Sequence, residues 1–257
     1  MENRSAFLIQ GAMDVECRHI VELMQDVREM EIGKWYFAEG SYEGIPLVVS
    51  ETQWGMANAA ATTALAMERF HPCAVISQGT AGGHDPRLHT YDLVIGRQTV
   101  NVSAWKTRYR ARGEGVDEST MEKLGVFAYD KEKRSFTQEV YHDCDALLFE
   151  AAMSLRDTYS FGKAVEGIMG TSDSWNCQID RILFLHEFYG TAVEEMEGDA
   201  VAQICQTYDV PFLSIRVISN TVFEGDRDWD RKVGIACQDY VLRTIQNYVQ
   251  RMEQTKG

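Results

Sequence analysis

The chain has 257 residues, of which 45% are hydrophobic and 25% charged, and a formal net charge of −14. This is ordinary globular composition with enough length for one sizeable core, which argues against a disordered or membrane-embedded chain. The negative balance is not offset by any lysine- and arginine-rich stretch, so nucleic acid is excluded as an expected partner.

Strand and helix patterns alternate along the chain. Residues 6–9 read as a short apolar strand running into Gly11. That run is too short for a signal-peptide core or a membrane span, so cytoplasmic residence and no membrane partner are expected. Met13, Cys17, Ile20, Val21 and Met24 have helical spacing over 13–24. Residues 35–38 and 45–49 flank the turn-like SYEG and suggest a hairpin, and 56–70 is an alanine-rich helix closed by His71-Pro72. A buried-strand run over 73–77 leads to GTAGG at Gly79, and 93–95 begins another strand. Residues 101–133 are polar and irregular and read as a loop or lid.

The alternation then resumes, with a helix over 144–156, a strand over 164–169, a helix over 179–188, a strand over 192–195, a helix over 199–208, a strand over 212–218 and a helix over 229–252. Such alternation predicts a single α/β domain over 1–257, with a mixed central sheet flanked by helices. Cys17, Cys73, Cys144, Cys177, Cys205 and Cys237 show no CxxC or Cys/His spacing, so reduced thiols are expected, with no metal.

Ligands of open α/β sheets sit at the carboxyl ends of strands. The first predicted strand is followed by Gly11 and Glu16, the strand at 73–77 by GTAGG with Thr80 and Gly82, and the strand at 164–169 by GTSDSW with Asp173 and Trp175. Glu194, Glu195, Met196 and Glu197 close the strand at 192–195, and Ser219 and Asn220 follow the strand at 212–218. Each has a bland reading: a glycine-rich turn, a solvated Glu16, carboxylates favouring a helix N-terminus through its dipole, a packing tryptophan. Their gathering at successive strand ends favours a site.

GAMDVE at Gly11, GTAGG at Gly79, GTSDSW at Gly170 and EEMEGDAVAQICQTYDVPFLSIRVISN at Glu194 resemble the methylthioadenosine/S-adenosylhomocysteine nucleosidases, within the purine nucleoside phosphorylase superfamily. The resemblance implies a three-layer α/β/α nucleoside phosphorylase-like fold, a homodimer, no cofactor, and hydrolysis of a purine nucleoside's N-glycosidic bond. It implies that Glu197 binds ribose hydroxyls and stabilises positive charge, with Met196 against the sugar and Glu195 nearby. By the same resemblance Glu16 deprotonates the attacking water, Arg216 and Thr80 orient that water and Glu197, and Gly82 and Ser219 contact substrate. Trp175 stands where the family stacks a phenylalanine on the purine, with backbone groups near Trp175 and Asn176 at the base edge.

Asp14 and Glu16 lie where phosphorylase relatives bind a phosphate dianion, and Arg18 projects to another side of the helix, so water is the expected nucleophile. The chain departs from the family at Asn220, where the family has the aspartate that protonates the leaving purine. An amide donates a hydrogen bond but delivers no proton, a loss of roughly 10²- to 10⁴-fold in rate. Three readings follow: adenine release with another acid such as Asp173 or Glu224, preference for a 6-oxopurine, or a non-catalytic nucleoside-binding protein.

Overall fold

The computed structural model describes residues 5–130, 132–225 and 233–256. In chain order the elements are β1 (Phe7–Gly11), α1 (Asp14–Leu23), β2 (Gln25–Ile32), β3 (Trp35–Tyr42), β4 (Ile45–Glu51), α2 (Met56–Phe70), β5 (Ala74–Gly83), β6 (Leu93–Asn101), β7 (Trp105–Lys106), β8 (Glu122–Lys123), β9 (Val126–Asp130), β10 (Ser135–Glu139) and β11 (Tyr141–Asp143). They continue as α3 (Ala146–Met153), β12 (Ala164–Thr171), α4 (Ile179–Tyr189), β13 (Thr191–Glu195), α5 (Gly198–Thr207), β14 (Phe212–Asn220), α6 (Val233–Ala236) and α7 (Gln238–Lys256).

The strands β11-β6-β12-β13-β5-β1-β4-β3-β2 follow one another in a mixed sheet, and β14 pairs with both β5 and β6. β14 runs parallel to β5 and antiparallel to β6, β12 is parallel to β6 and β13, and β13 is antiparallel to β5. These pairings close β5, β14, β6, β12 and β13 into a ring, from which β1, β4, β3 and β2 extend as an open wing. Register shifts at Gly167/Ile168, Ile168/Met169 and Ile218/Asn220 fall on strands of the ring, where such irregularities favour strand bending. Gly167 is required where strands crowd: a methyl group there would lie 2.6 Å from Ala192 Cβ.

Burial explains the rest of the architecture. β1 and β13 are buried along their whole length, as is nearly all of β14, so that polar side chains such as Glu194, Glu195 and Arg216 lie inside the fold. α1, α3, α6 and α7 pack as one group, and α2 packs against α5. No helix among the described residues is long and apolar enough to cross a membrane.

Several expectations change. β2, polar and mostly exposed along its length, adds an edge strand to the hairpin of β3 and β4, and its lack of alternation hid it. GTAGG is not a turn: β5 runs through it, and Gly79 to Gly82 pair with β14. The 101–133 region contains the short ladder of β7 with β8 and the strand β9, which pairs with β10. The helix expected over 144–156 is α3, capped by Asp145, whose carboxylate accepts from Leu148 N at 2.9 Å. The start expected for the last helix falls within 226–232, outside the described residues.

Candidate active site

The carboxyl ends of β1, β5 and β14, the end of β13 and the loops after β4 and β12 border one cleft of roughly 800 Å³, part of it open to solvent. Every site residue expected from the sequence lines it except Arg216 and the two alternative acids, Asp173 and Glu224. Four of the lining side chains are carboxylates, Glu16, Glu194, Glu195 and Glu197, and none is basic.

Glu16 sits in the first turn of α1 and is 3% exposed. Its Oε2 accepts from Ala12 N at 2.8 Å, and its Oε1 accepts from Thr80 N at 2.7 Å and Thr80 Oγ1 at 3.0 Å. Gly79 makes room for this approach: its φ is +146°, and an added methyl group would lie 2.5 Å from Glu16 Oε1. Burial is the largest influence on the Glu16 pKa and leaves it above the ordinary carboxylate value, against the opposing pull of Thr80, Arg216 and Ala12. Asp14 and Arg18 are both exposed and outside the cleft, so of the residues expected to bear on an anion there only Glu16 lines it.

The three clustered glutamates have three different roles. Glu195 is a fastening point: its Oε2 accepts from Glu197 N at 3.0 Å, Gly198 N at 2.7 Å and Arg216 Nη2 at 2.7 Å, and its Oε1 accepts from the Thr171 hydroxyl. It thereby fills amides at the start of α5, and Thr171 Oγ1 takes the next, Asp199 N, at 2.9 Å. Asp199 itself is buried against His142 Nδ1 and Thr99 Oγ1, both at 2.8 Å. Glu194 points to other partners, Ser172, Asn176 and His84. Glu197, at the N-cap of α5, uses Oε1 to accept from Gly55 N at 3.0 Å, leaving Oε2 with no protein partner among the described residues. Burial, and then the neighbouring charge of Glu195, push the Glu197 pKa up to about 8 against the pull of Arg216.

Arg216 lies behind the cleft wall, 2% exposed, and donates to Ser77 Oγ at 2.9 Å as well as to Glu195. Among the described residues it makes no hydrogen bond to Glu197 and reaches it through charge and through Glu195, whose Oε2 also accepts from Glu197 N. Burial works against its own charge, but Glu195, Glu197 and Glu16 hold its pKa above the ordinary value.

At the far strand end, Ser219 Oγ lies 2.9 Å from Asn220 Oδ1 and 3.2 Å from the Ala81 carbonyl. A hydroxyl has one proton, and the shorter contact assigns it to Asn220, which leaves the Asn220 NH2 to donate into the cleft. The two alternative acids do not reach this position. Asp173 is outside the lining and accepts from Met56 N at 2.8 Å. Glu224, also outside it, is held by Thr90 Oγ1 at 2.7 Å and His89 Nδ1 at 3.0 Å, and the Thr90 hydrogen bond leads in lowering its pKa.

Ala12, Met13, Trp54 and Ser174 also line the cleft and were not singled out from the sequence. Trp54 follows β4, so the strand-end rule applied to that strand would have found it. Among the described residues, no group of three His, Cys, Asp or Glu side chains is placed to hold a metal ion.

The sequence profile of the phosphorylase superfamily matches residues 6–253. Among curated proteins, the 5′-methylthioadenosine/S-adenosylhomocysteine nucleosidase of Shewanella sediminis is 32% identical over 82% of this chain and 84% of its own. That of Shewanella pealeana is 32% identical over 92% of this chain and 96% of its own. Among solved structures, the nucleosidase of Colwellia psychrerythraea in complex with adenine superposes with a TM-score of 0.75 at 24% identity, covering 96% of each chain. The futalosine hydrolase of Helicobacter pylori superposes equally well, with a TM-score of 0.75 at 22% identity over 94% of this chain and 97% of its own. These two support the fold, while the profile and the curated relatives carry the relationship: the chain belongs to the phosphorylase superfamily, in the family of the 5′-methylthioadenosine/S-adenosylhomocysteine nucleosidases.

Proposed function

We propose that the chain is an N-glycosyl hydrolase that splits 5′-methylthioadenosine, S-adenosylhomocysteine or a close relative into adenine and the thioribose product. The observation that carries this is a cleft lined by glutamates and by no basic side chain, in which Glu197 keeps an oxygen, Oε2, without a protein partner among the described residues. Breaking a ribosyl N-glycosidic bond builds positive charge on the sugar, and buried carboxylates stabilise that charge more in the transition state than in the neutral substrate. The same lining offers a phosphate dianion no basic side chain, so the nucleophile is water.

In this reading Glu16 is the general base, held by Thr80 and Ala12 with a pKa raised toward the working pH. Glu197 Oε2 meets the ribose hydroxyls, Met196 packs on the sugar and Trp175 stacks on the base. Gly82 and Ser219 shape the base end, the backbone near Asn176 contacts the base edge, and Asn220 donates to the leaving nitrogen. The chain acts as one domain, an extent supported by the match over 6–253. It pairs with a second copy of itself, a reading supported by the large apolar side chains Trp54, Trp105 and Ile179 that a single chain leaves exposed.

Asn220 favours one second reading, a 6-oxopurine nucleoside, because the amide offers both a donor and an acceptor and neither Asp173 nor Glu224 lines the cleft. Release of free base from 5′-methylthioadenosine, S-adenosylhomocysteine, adenosine, inosine and futalosine, with and without phosphate, separates the two. Phosphate-independent adenine release is expected. Release of hypoxanthine alone selects the second reading, and absence of release from all five refutes both.

A further inference from the structure

We propose that Glu194 is a positioning residue for base binding: anchored by His84, its carboxylate fastens Asn176 and so fixes Trp175 at the cleft. The inference rests on the reading above that Trp175 meets the base.

Residues 172–178, between β12 and α4, have no regular structure. The start of this loop is held several ways: Ser172 N donates to the Glu195 carbonyl at 3.0 Å, Ser172 Oγ to Glu194 Oε1 at 2.6 Å, and Asp173 accepts from Met56 N. Residues 174–178 have far less. The Gln178 carbonyl serves only the first turn of α4, accepting from Ile182 N at 3.0 Å. Among the described residues, the hydrogen-bonded tie from this stretch to the rest of the fold is Asn176 Nδ2, at 2.7 Å and 2.8 Å from the two Glu194 oxygens. Trp175 lies within the stretch and is 58% exposed, so apolar burial does little to fix it.

Glu194 is built to hold this tie. It lies in β13, where every residue is buried, and a buried carboxylate is tolerated only when its oxygens are satisfied. Oε1 accepts from Ser172 and Asn176, and Oε2 from Asn176 and from His84 Nε2 at 3.2 Å. His84 is itself buried, with Nδ1 at 2.8 Å from Thr191 Oγ1 on the same strand as Glu194. With both oxygens occupied by protein donors, Glu194 has no comparable capacity for a ligand, unlike Glu197 with its free Oε2. Burial pushes the Glu194 pKa up, but His84, Ser172 and Asn176 together bring it below the ordinary value, which keeps it an acceptor.

Glu194→Gln replaces one acceptor oxygen by an NH2 that must face a donor. The expected result is a KM raised about 10-fold with kcat within about 3-fold, since a hydrogen bond to a charged group is lost while Glu16, Glu197 and Asn220 are untouched. Affinity for free adenine or hypoxanthine, whichever the wild type binds, should weaken by a similar factor, read from a tryptophan fluorescence change that Trp175→Phe abolishes. The pair Glu194→Gln/Asn176→Asp exchanges donor and acceptor and should recover most of the affinity. Asn176→Ala, which leaves Glu194 its Ser172 and His84 bonds, should reproduce the KM rise if Glu194→Gln fails to fold. Unchanged KM and base affinity in the folded single variants, a fall in kcat at unchanged KM, or no recovery in the exchanged pair would overturn the proposal. A wild type that binds base but releases none from any nucleoside would instead refute the proposed function, leaving the base-affinity comparison readable.

Discussion

Arg216 and Glu195 form a buried ion pair, Nη2 to Oε2 at 2.7 Å with each side chain no more than 2% exposed, and the same carboxylate oxygen collects the amides of Glu197 and Gly198. The pair therefore ties the ring strand β14 to the start of α5. Arg216→Met leaves Glu195 charged and unpaired in the interior, where removing one partner costs about 3–5 kcal/mol. Chemical denaturation should show a loss of that size, and Arg216→Met/Glu195→Gln should be less destabilised than the sum of the single changes. Strict additivity would show that the two residues do not act as a pair.

Glu197→Gln should leave the fold intact, because the glutamine oxygen still accepts from Gly55 N. Positive charge on the ribose then loses its nearest ionisable partner, and kcat should fall about 10³-fold with KM changed much less. Near-normal turnover in a folded variant would remove Glu197 from the mechanism.

Stability should also respond to Glu197. Its pKa is about 8 in the fold against an ordinary 4.5, so between those values the folded protein keeps a proton that the unfolded chain has released. The contribution is fully present below about pH 4.5 and is lost as the pH rises toward about 8. The wild-type melting temperature should therefore decline over that window more steeply than that of Glu197→Gln. Parallel curves for the two proteins would contradict the assignment.

Asn220→Asp should raise adenine release about 10- to 100-fold if proton delivery is what the site lacks. The new carboxyl keeps an oxygen for the Ser219 hydroxyl and places a second oxygen where the amide NH2 now stands. An unchanged or lower rate would show that the leaving base needs no proton from this position.

The positions that carry the proposed chemistry were legible because strand ends are legible: the buried strands at 192–195 and 212–218 lead directly into Glu197 and into Ser219 and Asn220. What each carboxylate does was not. Glu194, Glu195 and Glu197 look alike in sequence, yet one fastens a loop, one pairs with an arginine and one opens to the cleft, a division set by partners 18 to 142 positions away. GTAGG misled because glycines suggest turns, whereas here Gly79 admits a carboxylate against a continuing strand. β2 was hidden because its side chains face water almost throughout and leave no apolar period to read.

The closed ring has a consequence for how this protein is made. β14 is the last of the ring strands in the chain and pairs with both β5 and β6, so the ring stays open until residues near 212–220 have been synthesised and inserted. The N-terminal half, with Glu16 and Thr80 already adjacent in sequence order to their strands, has no enclosed cleft to offer on its own. Long-range strand pairing of this kind is slow. Base release during refolding should therefore appear late and in one step, following secondary structure rather than accompanying it.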